Sequence, residues 1–341
     1  MTIQGCPVEV LDKIFEYTAY LAPRNAQATL CSLMLTCSHF RAIAKRHFIR
    51  IVCLQNARKI NSFFYWLNQV VESGDYGRGV LAIQHLAVVG EYRHGRHSRS
   101  HYDTEAKAYG VLHSIITTAA PSLLTLTIFD VETDRCNGYT VTFPKRRYVT
   151  PVPDDTTFPK LRDLILLKRG VINLVLRDDN RKPDKRACQL RYPSIRRLYT
   201  PSYGGGALPS TLPYLEDLRL LDQAYVSPPT REELSHVRTL IIDVPKCSSL
   251  SYNLNDFNEY LGHNEYDSTV TAYQTLIKEV RDSERSGLVV PTNGSILYPE
   301  HNIILSAWAN AVVGGEGCWT TAWAPTRITT SRRETSSYIN T

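Results

Sequence analysis

The sequence predicts an α/β fold, with a three-helix module in front, an irregular solenoid of strand-and-return units behind it, and a helical cap at the far end. Three observations predict it. The phrase apolar-x-x-Leu-x-apolar recurs as Ile83–Leu86–Val88, Leu123–Leu126–Ile128, Leu161–Leu164–Leu166, Ile195–Leu198–Thr200, Leu215–Leu218–Leu220 and Val237–Leu240–Ile242, with Thr200 the one slot off the apolar rule. Proline stands two places before the first apolar residue in four copies, at Pro121, Pro159, Pro193 and Pro213. Segments with the i, i+3, i+4, i+7 spacing of amphipathic helices precede the phrases and separate some of them.

The copies begin at 83, 123, 161, 195, 215 and 237, so they lie 40, 38, 34, 20 and 22 residues apart. The last two intervals fit a leucine-rich repeat, whose strand and return take about 20–29 residues. The longer ones require helices or insertions in the return. Side chains alternate across a strand, so each Leu and the apolar residue two places on share a face and, stacked, a core. The opposite face then carries His85, Ala87, Thr125, Thr127, Phe129, Asp163, Ile165, Arg197, Tyr199, Asp217, Arg219, Thr239, Ile241 and Asp243. It mixes both charge signs with aromatic rings, which suits a protein partner, because Arg and aromatic residues are the commoner interface anchors. Thr127, Phe129, Asp163, Arg197, Tyr199, Asp217, Arg219 and Ile241 are the candidate substrate-binding residues.

The elements follow in order. Pro7 suits a first helical turn, where its missing N–H costs nothing, and Leu11, Ile14, Phe15, Thr18 and Leu21 continue a helix that Pro23 and Asn25 end. Ala26, Leu30, Leu33, Met34 and Cys37 mark a second helix. Phe40, Ile43, Ala44 and His47 mark a third, with Ser38 as its expected cap. Ile51–Leu54 reads as a short strand and Asn56–Glu72 as an amphipathic helix. After the Ile83–Val89 strand and a polar loop, a helix that Asp103 could cap runs to about Ala119. A hairpin is expected over Tyr139–Phe143 and Arg147–Val152, and Arg177–Arg186 reads as a charged surface loop. Beyond the repeats, a helix over Thr269–Arg281, a closing strand over Gly287–Val290 and a helix over Ile303–Val313 form the expected cap.

The front segment carries a resemblance. Cys6-Pro7-Val8-Glu9-Val10-Leu11-Asp12-Lys13-Ile14-Phe15 is similar to the Leu-Pro-x-Glu-Leu/Val-Leu-x-x-Ile opening of an F-box. Thr36-Cys37-Ser38-His39-Phe40 is similar to its later Val-Cys-x-x-Trp/Phe. Cys6 stands where the family has leucine and Thr36 where it has valine. With the repeats behind it, and Gly314-Gly315-Glu316-Gly317-Cys318-Trp319 closing a short helix, the chain resembles an F-box/leucine-rich-repeat protein, most like the divergent fungal ones. The resemblance implies an F-box-like module over 5–50, a repeat domain with capping segments over 51–319, and a disordered tail over 320–341. It implies a substrate receptor of a Skp–cullin–F-box ubiquitin ligase rather than an enzyme. Pro7, Leu11, Ile14, Phe15 and Leu33 would contact the Skp adaptor, and through it a cullin. The sheet would hold a protein substrate. A repeat scaffold that acts without a ligase is the alternative.

Composition bounds the other classes. The chain has 341 residues, 43% hydrophobic and 21% charged, which is ordinary globular composition. Its net charge of +6 is scattered through loops, without the basic stripe and stacking aromatics of a nucleic-acid binder. Residues 108–129 are free of Asp, Glu, Lys and Arg, but they contain Pro121, His113 and a repeat phrase, so a helix and a buried strand are expected there and no membrane span. Eight cysteines show no Cys-x-x-Cys, and with no secretory segment at the front a reducing compartment, cytoplasm or nucleus, is expected. No cofactor, metal site or catalytic residue is expected. His94, His97 and His101 lack a completing thiol or carboxylate, and Gly204–Gly206 lacks the Lys-Ser/Thr of a phosphate loop.

Overall fold

The computed structural model describes residues 6–21, 23, 25–73, 82–89, 111–129, 152–153, 155–167, 184–201, 212–221, 234, 237–243, 288–289 and 301–319. Helices α1 (Val8–Leu21), α2 (Ala26–Thr36) and α3 (Ser38–Phe48) come first. Strand β1 (Ile51–Leu54), helix α4 (Ala57–Ser73) and strand β2 (His85–Val89) follow. Helix α5 is described over 111–119. Then come β3 (Thr125–Phe129), β4 (Asp163–Leu166), α6 (Lys185–Arg191), β5 (Arg197–Pro201), β6 (Asp217–Leu221), β7 (Thr239–Asp243) and β8 (Leu288–Val289). Helix α7 (His301–Val312) and a 3-10 turn, Gly317–Trp319, close the described chain.

The eight strands form one sheet in chain order, and every neighbouring pair is parallel. Parallel neighbours cannot be joined by a tight turn; each strand must be followed by a return that carries the chain back to its starting edge. The register places the leucine of each phrase opposite the next: Leu86, Leu126, Leu164, Leu198, Leu218 and Leu240 form one continuous row. Val52 continues the row into β1, and Leu288 pairs with Leu240 at the other end.

The backbone repeats as faithfully as the side chains. The carbonyl just before each strand accepts two successive N–H groups from the next unit. Arg50 O takes Gln84 and His85, Gln84 O takes Leu124 and Thr125, and Leu124 O takes Arg162 and Asp163. Arg162 O takes Arg196 and Arg197, Arg196 O takes Glu216 and Asp217, and Glu216 O takes Arg238 and Thr239, all within 2.7–3.2 Å. The prolines have a local reason. Pro159 and Pro213 follow the residue whose carbonyl accepts the N–H three places on (Phe158 from Leu161, 3.3 Å; Leu212 from Leu215, 3.0 Å). That is the turn position for which a fixed φ near −65° is suited.

The leucine row belongs to a core shared with the returns: Ile60, Phe63 and Leu67 of α4, Leu112, Ile115, Ile116 and Ala119 of α5, and Phe158 and Tyr192 around α6. The expected helices agree with the structure in this part, with differences at their ends. Asn56 lies outside α4 and caps it, accepting from Lys59 N at 2.9 Å. Cys37, not Ser38, caps α3, its thiol accepting from Phe40 N. The charged loop expected over Arg177–Arg186 gives way at Lys185 to helix α6, which Asp184 starts by accepting from Ala187 N at 2.9 Å. The expected hairpin over Tyr139–Phe143 and Arg147–Val152, the helix over Thr269–Arg281 and the tail lie outside the described residues, apart from Val152.

The opposite face departs from expectation. Strand alternation predicts a face free for a partner, and the chain covers it. Leu11, Phe15 and Ala19 of α1, Leu30 of α2 and Phe40, Ile43 and Ala44 of α3 form one core with Ile51, Cys53, Ala87 and Val89. Ile304, Leu305, Trp308 and Trp319 join that core beside Phe129, Ile165 and Tyr199. Phe15 and Phe40 meet edge to face at 5.1 Å. The physical reason is general: an all-parallel sheet is stable when both its faces are buried.

Leu164→Ala, in the middle of the row, is expected to cost about 2–5 kcal/mol in urea unfolding of the full chain, the usual range for a buried leucine. Tyr214→Ala, on a side chain 65% exposed, is expected to stay within about 0.5 kcal/mol. Equal, small effects at both positions would show that the row is not the centre of the core.

Candidate functional site

The covered face is built in two rows by strand register. His85, Thr125, Asp163, Arg197, Asp217 and Thr239 stand opposite one another in the first, and Ala87, Thr127, Ile165, Tyr199, Arg219 and Ile241 in the second. The structure therefore brings the predicted substrate-binding residues onto one face, as strand alternation requires. It does not leave them exposed. Thr127, Phe129, Asp163, Tyr199, Asp217, Arg219 and Ile241 are all buried. Arg197 keeps a quarter of its side chain accessible. The expectation of an open binding surface at these eight residues is corrected to a filled one.

The charged members Asp163, Arg197, Asp217 and Arg219 each have a partner that explains their place in the interior. Arg197 grips Asp163 with two donors, Nε on Oδ1 at 2.6 Å and Nη2 on Oδ2. Asp217 accepts from Arg238 at 3.2 Å. Burial works to lower the pKa of the Arg197 guanidinium, but the hydrogen bond and charge of Asp163 outweigh it, so the group is held as a firmer cation than usual. Arg219, fully buried, donates to the backbone carbonyl of Cys318 at 2.6 Å, 99 residues further along, and its guanidinium lies 5.1 Å from the Tyr199 ring. Arg197 lies 5.7 Å from the Trp319 ring, close enough for a cation–π contact.

At the other end of the first row, Trp308 donates from Nε1 to Thr125 Oγ1 at 3.3 Å. Thr125 Oγ1 is 3.1 Å from His85 Nδ1, and the Tyr20 ring meets His85 edge-on at 5.8 Å. Elements from both ends of the chain meet at this histidine. Burial pushes its pKa down to about 4, so the ring is neutral at neutral pH and Nδ1 can accept the threonine proton.

A second surface lies on α1. Val10, Ile14, Tyr17 and Leu21, spaced i, i+4, i+7, i+11, are each 45–65% exposed. They form one apolar stripe on the side of the helix away from Leu11 and Phe15. Among the predicted adaptor contacts, Pro7 and Ile14 are exposed, Leu33 is partly covered, and Leu11 and Phe15 lie in the core. The last two are therefore corrected from contact residues to packing residues. Sequence reasoning passed over Tyr17, and took Val10 only as a motif position. The signal was present: α1 is apolar on two sides, and one helix needs only one such side to pack.

A hydrogen bond and an ion pair hold α1 in place. Asp12 Oδ1 lies 3.0 Å from His47 Nε2, and Arg50 reaches Glu16 at 2.9 Å. Burial lowers the pKa of His47, against the raising effect of Asp12.

Among the described residues, no group of three His, Cys, Asp or Glu stands close enough to hold a metal ion, and no helix is long and apolar enough to cross a membrane. His94, His97 and His101 lie outside them. Against known proteins, no family model, no curated protein and no solved structure matches this chain.

His85 gives a pH prediction. The unfolded chain takes up a proton on this ring near pH 6.5 and the folded chain near 4. The histidine's contribution to stability is complete above pH 6.5 and is lost as pH falls towards 4, by about 1.4 kcal/mol per unit and about 3 kcal/mol in all. The difference in unfolding free energy between wild type and His85→Gln should change by that amount between pH 7 and pH 4. A constant difference would show that the folded protein protonates His85 freely.

Proposed function

We propose that this chain is a substrate-recognition subunit of a Skp–cullin–F-box ubiquitin ligase, working in the cytoplasm or nucleus. Helix α1 docks the Skp adaptor, and the units behind it form a leucine-rich-repeat-like solenoid that carries the substrate. The observation that carries this reading is the uncovered stripe Val10–Ile14–Tyr17–Leu21, within the segment whose residues resemble an F-box. Aligned large apolar side chains left in water mark a surface that another protein covers. Burying the half of each that is still exposed would contribute about 0.7–2 kcal/mol. The leucine row and the repeated two-donor carbonyl support the repeat reading.

The mechanism is proximity. The receptor breaks no bond; it fixes a substrate near a conjugating enzyme and raises its effective concentration. A repeat scaffold that works without a ligase is the second reading. It is favoured by the inward turn of Leu11 and Phe15, which leaves the adaptor fewer of the motif's own contacts.

Co-purification tests the choice. Ile14→Asp with Tyr17→Asp places charge on the stripe and leaves the core intact, so the circular dichroism of the full chain should not change. Adaptor binding should weaken by at least about 30-fold, the ~2 kcal/mol of an interface hot spot. Equal adaptor recovery with wild type and the double variant would remove the docking proposal.

A further inference from the structure

The C-terminal strap, α7 and the turn after it, reaches across the sheet. Helix α7 packs on β2 and β3, while the turn engages Arg197 of β5 and Arg219 of β6. Its fit differs along its length. Helix α7 is pinned by apolar burial and by the Trp308–Thr125 bond. It stops in a defined way: Gly314, at φ +87°, donates to Ala311 O (3.1 Å) and Gly315 donates to Asn310 O (2.9 Å). This is the paired closure by which a left-handed glycine ends a helix. Beyond that stop, Gly317, at φ +57°, turns the chain back so tightly that a Cβ would lie 2.8 Å from Ala307 O.

The turn is tied to α7 by Gly317 N–H on Asn310 Oδ1 (2.8 Å), sets Cys318 O on Arg219 and the Trp319 ring on Arg197, and buries the Cys318 side chain in the same core. That contact is incomplete. Trp319 Nε1 is buried with no hydrogen-bond partner among the described residues, and an indole N–H buried in a settled core is normally paired.

We propose that residues 317–319 are a displaceable internal occupant of a polypeptide-binding site on the sheet face. The site takes a turn of a partner protein that offers a main-chain carbonyl to Arg219 and an aromatic ring to Arg197. The closed strap lowers the protein's affinity for that partner by the fraction of time the site stands open. This rests on the receptor reading only in naming the partner a substrate. The pocket chemistry stands without it.

The test uses the full chain and a fluorescein-labelled peptide of residues 310–319, followed by anisotropy. Gly317→Ala should open the turn and bind the peptide at least about tenfold more tightly than wild type. The same peptide carrying Trp319→Ala should not bind. A Gly317→Ala chain that stays folded and binds no better overturns the proposal. So does one that instead forms dimers, which would assign the face to the strap of a second copy. Amide exchange on wild type covers the case in which the variant does not fold. Gly315, Gly317 and Trp319 should exchange well before the amides of β4–β6, and exchange only with global unfolding would make the turn permanent core and overturn the proposal. Adaptor capture measured on the same chains keeps the two proposals apart: the turn variant retains it and the α1 stripe variant loses it.

Discussion

Every layer of this molecule answers one constraint: a sheet of parallel strands must bury both its faces. Among the described residues, the returns cover the first face with α4, α5, Phe158 and Tyr192, since each return must run back along the sheet before the next parallel strand begins. The second face has no such automatic cover. Helices α1–α3 and the strap supply it from opposite ends of the chain, meeting at β2 and β3 around His85 and Thr125. Elements far apart in the sequence, α1 and α7, are thereby built into the middle of the fold.

This explains what could be read from the sequence and what could not. The leucine row is local information. Apolar residues three and five positions apart, repeated behind prolines, define a strand and its inward face, and the register confirms the stacking residue by residue. The fate of the other face is not local. Alternation says that Tyr199 and Arg219 share a side; it does not say whether that side meets water. The cover on Arg219 is Cys318, 99 residues away, and no period or motif links the two. Polar character misled as well. Asp163, Arg197 and Thr125 look like surface residues one at a time, but register sets Asp163 against Arg197 so that the pair can enter the interior together. A buried charge is tolerated when paired, and removing one partner strands the other.

Helix α1 shows the same limit at smaller scale. Its apolar positions continue round more than half the helix, and sequence spacing treats Leu11, Ile14, Phe15 and Leu21 as one side. Packing divides them: Leu11, Phe15 and Ala19 enter the second core, and Ile14 and Leu21 stay outside with Val10 and Tyr17. Asp12 and Glu16 decide the rotation, because their bonds to His47 and Arg50 fix which side faces α3. The surface open to a partner is thus set by one hydrogen bond to a buried histidine and one ion pair as much as by the apolar pattern.

The same constraint governs how a partner could reach the sheet. Lifting the strap would place Phe129, Ile165, Tyr199 and Trp308 in contact with water, and each large apolar side chain re-exposed costs about 1.5–3 kcal/mol. An open face is therefore a minor state, and a partner must replace the cover rather than find the face bare. The turn beyond Gly314 is the part that can be exchanged most cheaply. It contributes the Trp319 ring, the small Cys318 side chain and one carbonyl, whereas α7 contributes Ile304, Leu305, Ala307, Trp308 and Val312 to the core. Exchange confined to the turn would bare only the ground around Arg197 and Arg219 and leave α7 seated on β2 and β3, which is the condition for a binding step that does not begin to unfold the protein.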